Sequence, residues 1–458
     1  MHTLNFQLLR REARENLRLA LPIVATQVSF MSMGTVDTIM AGRLGADELA
    51  AIGIGSNIWF LFFVIFIGVF MACSPIVAQR VGAGASPVET GGFVRSAAIL
   101  AMGCGVLWML VVRVLAQPIL SLLDLSERAN VFASDYLDAL SWGAIPLCLC
   151  FLGRNVAEGH AITRVALAAG VVAFAINAAL DYGLMYGAWG LPALGPAGCG
   201  WASSAASIAM LLIYALAYAR LRRLRALQVF RSGIPVQVSR DVGEILRLGL
   251  PIALIVAAES WLFNLGALII ARFGGDVVGA HQIAINFAAL SFMVPMSIGL
   301  ATTVRVGHAA GAGLQHEVRA RGLAGVALGV TFAAMSASAM ALAPGLIVAA
   351  YTDTPDVAAM AVRFLYFAAI FQLFDCVQAT ASGALRGIKE TRVPMLITVA
   401  AYWVVGLPLA AGLAFQTAAG PFGVWLGFIA ALALAAVGLL TRFVLRTRQW
   451  QVGAAPAG

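Results

Sequence analysis

Apolar residues fall in stretches of about 20 or longer, separated by short loops that hold most of the charge. Helices of that length cross a bilayer, whereas a membrane barrel would show weak ten-residue alternation. Twelve spans are predicted, at 17–42, 50–76, 93–122, 132–153, 163–187, 194–219, 245–271, 279–304, 322–351, 359–385, 393–415 and 421–444. The expected fold is an all-α membrane protein.

The basic residues test this count, because cytoplasmic loops carry the excess of Lys and Arg. With the amino terminus and every second loop inside, only Arg43, Arg113, Arg128, Arg272 and Arg363 of the 29 fall outside. Acids collect on that outer side, among them Asp47, Glu48, Asp124, Glu127, Asp353 and Asp356. Both termini are therefore expected in the cytoplasm. Arg10, Arg11, Arg14 and Arg18 lead directly into a full-length span, so the first span is expected to stay attached rather than be cleaved as a signal.

The spans form two sets of six. Glu15–Pro22 reads ENLRLALP and Glu244–Pro251 reads EILRLGLP, an offset of 229 residues in a chain of 458. The same offset relates Arg43 to Arg272, Gly45 to Gly274, Asp47 to Asp276, Asn57 to Asn286, and Gly82-Ala83-Gly84 to Gly311-Ala312-Gly313. This is a duplication. An even number of spans per half gives both halves the same direction, related by an axis along the membrane normal. Two pseudo-symmetric six-helix bundles are expected, an amino-terminal lobe at 1–220 and a carboxy-terminal lobe at 241–458. A cytoplasmic linker at 221–240, containing Gly233 and Pro235, would join them, with the substrate path between the lobes.

Composition narrows the function. The chain is 61% hydrophobic and only 11% charged, with mean hydropathy +0.92, against about a quarter charged in soluble proteins. The net charge of +8 is spread over many short loops, which argues against a nucleic-acid partner. The six cysteines lack metal spacing and read as buried structural thiols. His160, His281, His308 and His316 lie near span ends without ligand spacing. No GxxxxGK[ST] loop occurs, and the Gly195–Gly200 stretch GPAGCG follows no strand, so neither ATP nor a dinucleotide is expected. A nucleophile and base constellation is also missing, which argues against an enzyme, and no resident cofactor is expected. An ion gradient remains as the energy source.

The candidate chemistry lies in four acids inside apolar spans, Asp37, Asp181, Glu259 and Asp375. A carboxylate facing lipid costs about 2.5–3.5 kcal/mol even on lenient scales, so each is expected to face a cavity or a polar neighbour. Asn177 and Asp181 are four apart and share a helical face, and with Asp37 they could form one site of oxygen ligands. Glu259 and Asp375, in the middle of spans seven and ten, could form a second cation or substrate site. The alternative for each is a hydrogen bond between helices. Trp261, Phe287, Phe292 and Phe374 could attract aromatic cations or simply pack. Pro22, Pro146, Pro251, Pro295 and Pro394 could kink their spans.

The chain resembles the multidrug and toxic compound extrusion transporters, specifically the bacterial branch named after norfloxacin efflux. The likeness rests on Val36-Asp37-Thr38-Ile39-Met40-Ala41-Gly42, on Leu250-Pro251-Ile252 followed by Glu259, and on Asp375 leading into Gly383-Ala384-Leu385-Arg386-Gly387. Asn177–Gly187 and Leu194-Gly195-Pro196-Ala197-Gly198-Cys199-Gly200-Trp201-Ala202 add to it. The resemblance implies alternating access and export of amphipathic organic cations in exchange for Na⁺ or H⁺, by a monomer in contact with membrane lipids in the bacterial inner membrane. It makes Asp37 the first-lobe acid, with Asn177, Asp181, Tyr136 and Ser203 around it. It makes Glu259 and Asp375 the second-lobe acids, able to hold Na⁺.

Two positions depart from the family pattern. Phe371 stands where a tyrosine oxygen is expected, which leaves H⁺ at least as plausible as Na⁺; its ring joins the candidate lining. Ser203 replaces a threonine and keeps the hydroxyl. Two other functions share parts of this pattern. A lipid-linked oligosaccharide flippase would be expected to show a basic cavity, and a cation channel would be expected to show a pore ring.

Overall fold

The computed structural model describes residues 6–123, 125–231 and 236–453, so Asp124, Gly233, Pro235 and both chain ends lie outside the described residues. The helices are α1 Phe6–Leu44, α2 Ala46–Met71, α3 Cys73–Gly82, α4 Pro87–Leu120, α5 Glu127–Ser141, α6 Ala144–Gly159, α7 Arg164–Tyr186, α8 Pro196–Arg220 and α9 Arg222–Arg225. The second half continues with α10 Val238–Ile270, α11 Gly275–Gly311, α12 Gln315–Leu342, α13 Pro344–Ala349, α14 Pro355–Gly387, α15 Arg392–Val399, α16 Leu407–Gln416 and α17 Phe422–Gly453. Among the described residues there is no strand.

Local chemistry sets the helix ends. Pro87, Pro196, Pro344 and Pro355 occupy first helical positions, where the missing N–H would be unpaired in any case. Gly187 ends α7 in the left-handed conformation, with φ +73°, that a helix C-terminus often adopts.

Among the described residues eleven helices are long and apolar enough to cross a membrane, and the bent pair α5 and α6, taken as one span, brings the number to twelve. The pair breaks by 48° between Ser141 and Ala144. Pro146 explains the break, because its nitrogen has no hydrogen to give the Trp142 carbonyl one turn earlier. Its counterpart in the second half, α14, runs unbroken. The eleventh span contains instead a π-helical stretch, Ala400–Gly406, between α15 and α16.

Two compact units emerge from the contacts, and their bounds differ from the halves expected at 1–220 and 241–458. The first unit comprises the described residues of Ala25–Val77 and Ala85–Ala253; the second comprises those of Met1–Val24, Ala78–Gly84 and Leu254–Gly458. Thus α1 and α10 each change unit two residues past an interior proline, Pro22 or Pro251. These points are equivalent in the duplication. Within the stretch expected as a linker, Leu224 and Leu227 are buried, and α10 begins at Val238.

Each unit has its own core. In the first, Trp108 is buried between Trp59 and Phe66, with ring centroids at 4.0 and 5.4 Å. In the second, Phe364, Trp425 and Phe428 pack with Phe371 and Leu432. There α11 and α14 approach closely because neither Gly299 nor Gly383 has a side chain, and Thr303 Oγ1 donates to the Gly383 carbonyl at 2.8 Å. Small residues serve this role in membrane helices, where apolar burial alone does not hold neighbours together.

Candidate functional site

The first unit gathers Asp37 from α1, Asp181 from α7 and Cys199 from α8. One ligand atom of each lies within 4.8 Å of the other two. Asn177, one turn before Asp181, adjoins Asp37 and donates through Nδ2 to Ser203 Oγ at 3.3 Å. Tyr136 on α5 is buried beside the group, its hydroxyl 3.0 Å from Ser56 Oγ on α2. Asp37, Asn177 and Asp181, grouped as candidates from the sequence, lie close together in the structure.

Two glycines explain how α8 comes so near. A side chain at Gly198 would meet the Leu184 carbonyl at 2.6 Å, and one at Gly200 would meet the Tyr136 carbonyl at 2.6 Å. The stretch GPAGCGWA therefore lets the start of α8 press against α5 and α7. Cys199, between those glycines, is carried into the acids.

The cluster has an excess of acceptors. Asp37 Oδ1, Asn177 Oδ1 and both Asp181 oxygens are buried without a hydrogen-bond partner among the described residues. Neither acid takes an ion pair there. Two negative charges so close in a low-dielectric site repel strongly, so a proton or a cation between them is the stable arrangement. Carboxylate and amide oxygens suit a proton or a hard cation, whereas the thiol alone would favour a soft metal.

The second unit brings Glu259 on α10 and Asp375 on α14 into each other's electrostatic range. Gln378 Nε2 donates to Glu259 Oε2 at 3.4 Å. Tyr402, in the π-helical stretch, is fully buried beside Gln378 and both acids. Its hydroxyl and Asp375 Oδ1 have no partner among the described residues. Arg386, toward the end of α14, faces Glu259 electrostatically and donates through Nε to the Ser382 carbonyl. In the first unit, Arg154 is buried and paired with Glu158 at 2.7 Å.

The aromatic candidates are divided. Phe371 is only 3% exposed, with its ring 5.7 Å from both Phe263 and Trp425. The phenyl is part of an aromatic core. Phe287 and Phe374 are half-buried against the same core. Trp261 meets Trp403 edge-on at 6.4 Å and keeps a buried indole N–H without a partner among the described residues. Phe292 is half-buried, with no ring contact among the described residues. His281 accepts from Trp425 Nε1 at 3.2 Å and is part of the packed core.

Sequence reasoning missed Cys199, Ser56, Gln378 and Tyr402. Cys199 and Gln378 had a signal, since they stand one turn from Ser203 and Asp375 on the same helical faces. Ser56 and Tyr402 had none, because a hydroxyl's partner on another helix, or a π turn, leaves no local pattern.

Comparison with known proteins places the chain in a family. The MatE family model matches residues 22–183 and 251–411, one copy in each half of the duplication. The chain is 38% identical over 447 residues to the multidrug resistance protein PmpM of Pseudomonas aeruginosa, covering 96% of this chain and 93% of that protein. It is 39% identical over 445 residues to the probable multidrug resistance protein NorM of Xanthomonas campestris pv. campestris, covering 97% and 96%. The crystal structure of the eukaryotic MATE transporter AtDTX14 shares the fold, with a TM-score of 0.86 at 18% identity, over 98% of this chain and 100% of that one. With both halves matched and relatives aligned nearly end to end, the chain belongs to the MatE family of multidrug and toxic compound extrusion transporters, on its bacterial NorM-type branch.

Proposed function

We propose that this transporter exports amphipathic organic cations in exchange for H⁺ or Na⁺ by alternating access. It acts as a monomer in the bacterial inner membrane, with both termini in the cytoplasm and no resident cofactor. The observation that carries this reading is the meeting of Asp37, Asp181 and Cys199 within 4.8 Å, with buried carboxylate oxygens left without internal partners.

The coupling cation and the drug load Asp37 and Asp181 in turn. Each shifts the equilibrium between states only by its differential affinity for them, so the two must favour different states. Asn177 and Ser203 hold the carboxylates in place, and Glu259, Asp375, Gln378 and Tyr402 form a second station for the coupling ion. The names of the curated relatives, which are multidrug resistance proteins, support the substrate class. A flippase for lipid-linked sugars is less favoured, because the groups gathered in each unit are predominantly carboxylates.

The test is flux of an organic cation in proteoliposomes under an imposed pH gradient and, separately, under an imposed Na⁺ gradient. Uphill movement with one of them is expected. Flux that ignores both gradients, or an ohmic current, would refute the antiport.

A further inference from the structure

The stretch between the halves carries chemistry that transport does not use. After α8 ends at Arg220, the chain folds back onto the first unit. Leu224 and Leu227 are buried, and Gly91 of α4 leaves no room for a side chain beside the Leu227 carbonyl. Arg95 Nε donates to the Val229 carbonyl at 2.7 Å, and Tyr218 donates its hydroxyl to the Gly153 carbonyl at 2.9 Å. Gln228 adopts φ +51°, and the Arg231 N–H closes the turn on its carbonyl at 3.0 Å. The segment is clamped.

It forms one wall of an open concavity of about 650 Å³ lined by Arg220, Arg222, Arg225, Arg231 and Phe230. None of the four guanidiniums pairs with a carboxylate among the described residues, and all four are exposed. Phe230 is 67% exposed and Leu221 41%.

Arginines at the end of a span ordinarily fix its orientation. That role needs charge only. It does not require a clamped backbone that gathers four arginines around one concavity, nor an exposed phenyl beside them.

We propose that this cavity binds the headgroup of an anionic phospholipid. Arg220 closes an apolar helix of 25 residues, which puts the cavity where hydrocarbon gives way to headgroups. Guanidinium forks match the paired oxygens of a phosphate. The volume lies within the range of small-ligand sites, about 300–1,000 Å³. Phe230 favours a lipid over a free anion, because only a lipid offers acyl chains for it to meet.

The test is native mass spectrometry of the purified full-length chain, titrated with phosphatidylglycerol, phosphatidylcholine or inorganic phosphate. The wild type is expected to retain phosphatidylglycerol in preference to phosphatidylcholine. Loss of two charge-assisted contacts in Arg222→Gln/Arg225→Gln should lower that retention about fivefold or more, while Arg448→Gln leaves it unchanged. Phe230→Ser, which keeps every charge, should also lower it. Melting temperatures matching the wild type verify that the variants are folded. Equal retention by the wild type and both cavity variants would overturn the proposal. Displacement of the lipid by millimolar phosphate would overturn it too, and would make the cavity a site for soluble anions. Neither result bears on the antiport reading.

Discussion

Asp37 on α1 and Asp181 on α7 meet within 4.8 Å of each other, with the Cys199 thiol as the third member of the group. An acid satisfied by a neighbouring helix would need only one such partner. Here two carboxylates and a buried amide converge, and several of their oxygens have no hydrogen-bond partner among the described residues.

Replacing Asp37 by Asn removes that charge while keeping the shape. Export of an organic cation by the D37N variant is expected to fall by about tenfold or more, the effect of losing a charge-assisted contact of roughly 1.5–3 kcal/mol. Levels in the membrane and elution as a monodisperse peak should match the wild type. Asp181→Asn is expected to behave alike, because each acid needs the other to hold the cation. Wild-type export by both variants would show that the cluster is only a structural contact.

Cys199 gives a finer test. Cys199→Ser keeps a small polar group and is expected to preserve transport within about twofold, whereas Cys199→Val forces branched carbon between the carboxylates and should impair it. Equal activity of the two variants would remove the thiol from the site.

Much of this was legible in the chain and some was not, for identifiable reasons. Continuous apolar runs fix the spans, and the offset between Pro22 and Pro251 exposes the duplication, because both patterns are local. Asn177 and Asp181 could be paired from helical spacing alone. Cys199 was hidden because a thiol in an apolar span reads as packing. Tyr402 was hidden because its direction depends on a π turn that no spacing rule anticipates. Leu224 and Leu227 lie among arginines, so the clamp between the halves looked like a polar tether. Of the prolines, Pro146 adjoins a break in its span whereas Pro22, Pro251 and Pro295 lie inside continuous helices, so a proline alone does not tell which span will break.

Phe371→Tyr restores the oxygen that the family pattern leads one to expect, but into an aromatic core. A hydroxyl buried there without a partner should destabilise the protein by about 1–3 kcal/mol and leave Na⁺ dependence unchanged. The melting temperature and the Na⁺ titration of transport test this together. A gain in Na⁺ coupling without loss of stability would mean that the ring reaches the second pair of acids.

Tyr402→Phe removes the hydroxyl beside Glu259, Asp375 and Gln378 and nothing else. Its expected effect is a change in the apparent affinity for the coupling ion, with little change in melting temperature, because that oxygen has no internal hydrogen bond to lose. An unchanged ion dependence would confine Tyr402 to packing.

Gly200→Val should press α8 away from the Tyr136 carbonyl. Overpacking of this kind costs about 1–3 kcal/mol, so a lower melting temperature is expected together with weakened transport. Full activity in the variant would mean that the close approach of α8 is dispensable to the cluster.

The most direct measurement is cation release on drug binding. Tetraphenylphosphonium is added to the purified protein in weakly buffered solution, and displaced H⁺ and Na⁺ are recorded for the wild type and for Asp37→Asn. Release of H⁺ or Na⁺ by the wild type, lost in the variant, is the expected result. Equal release by both, or tight binding with no release by either, would contradict exchange at Asp37 and Asp181.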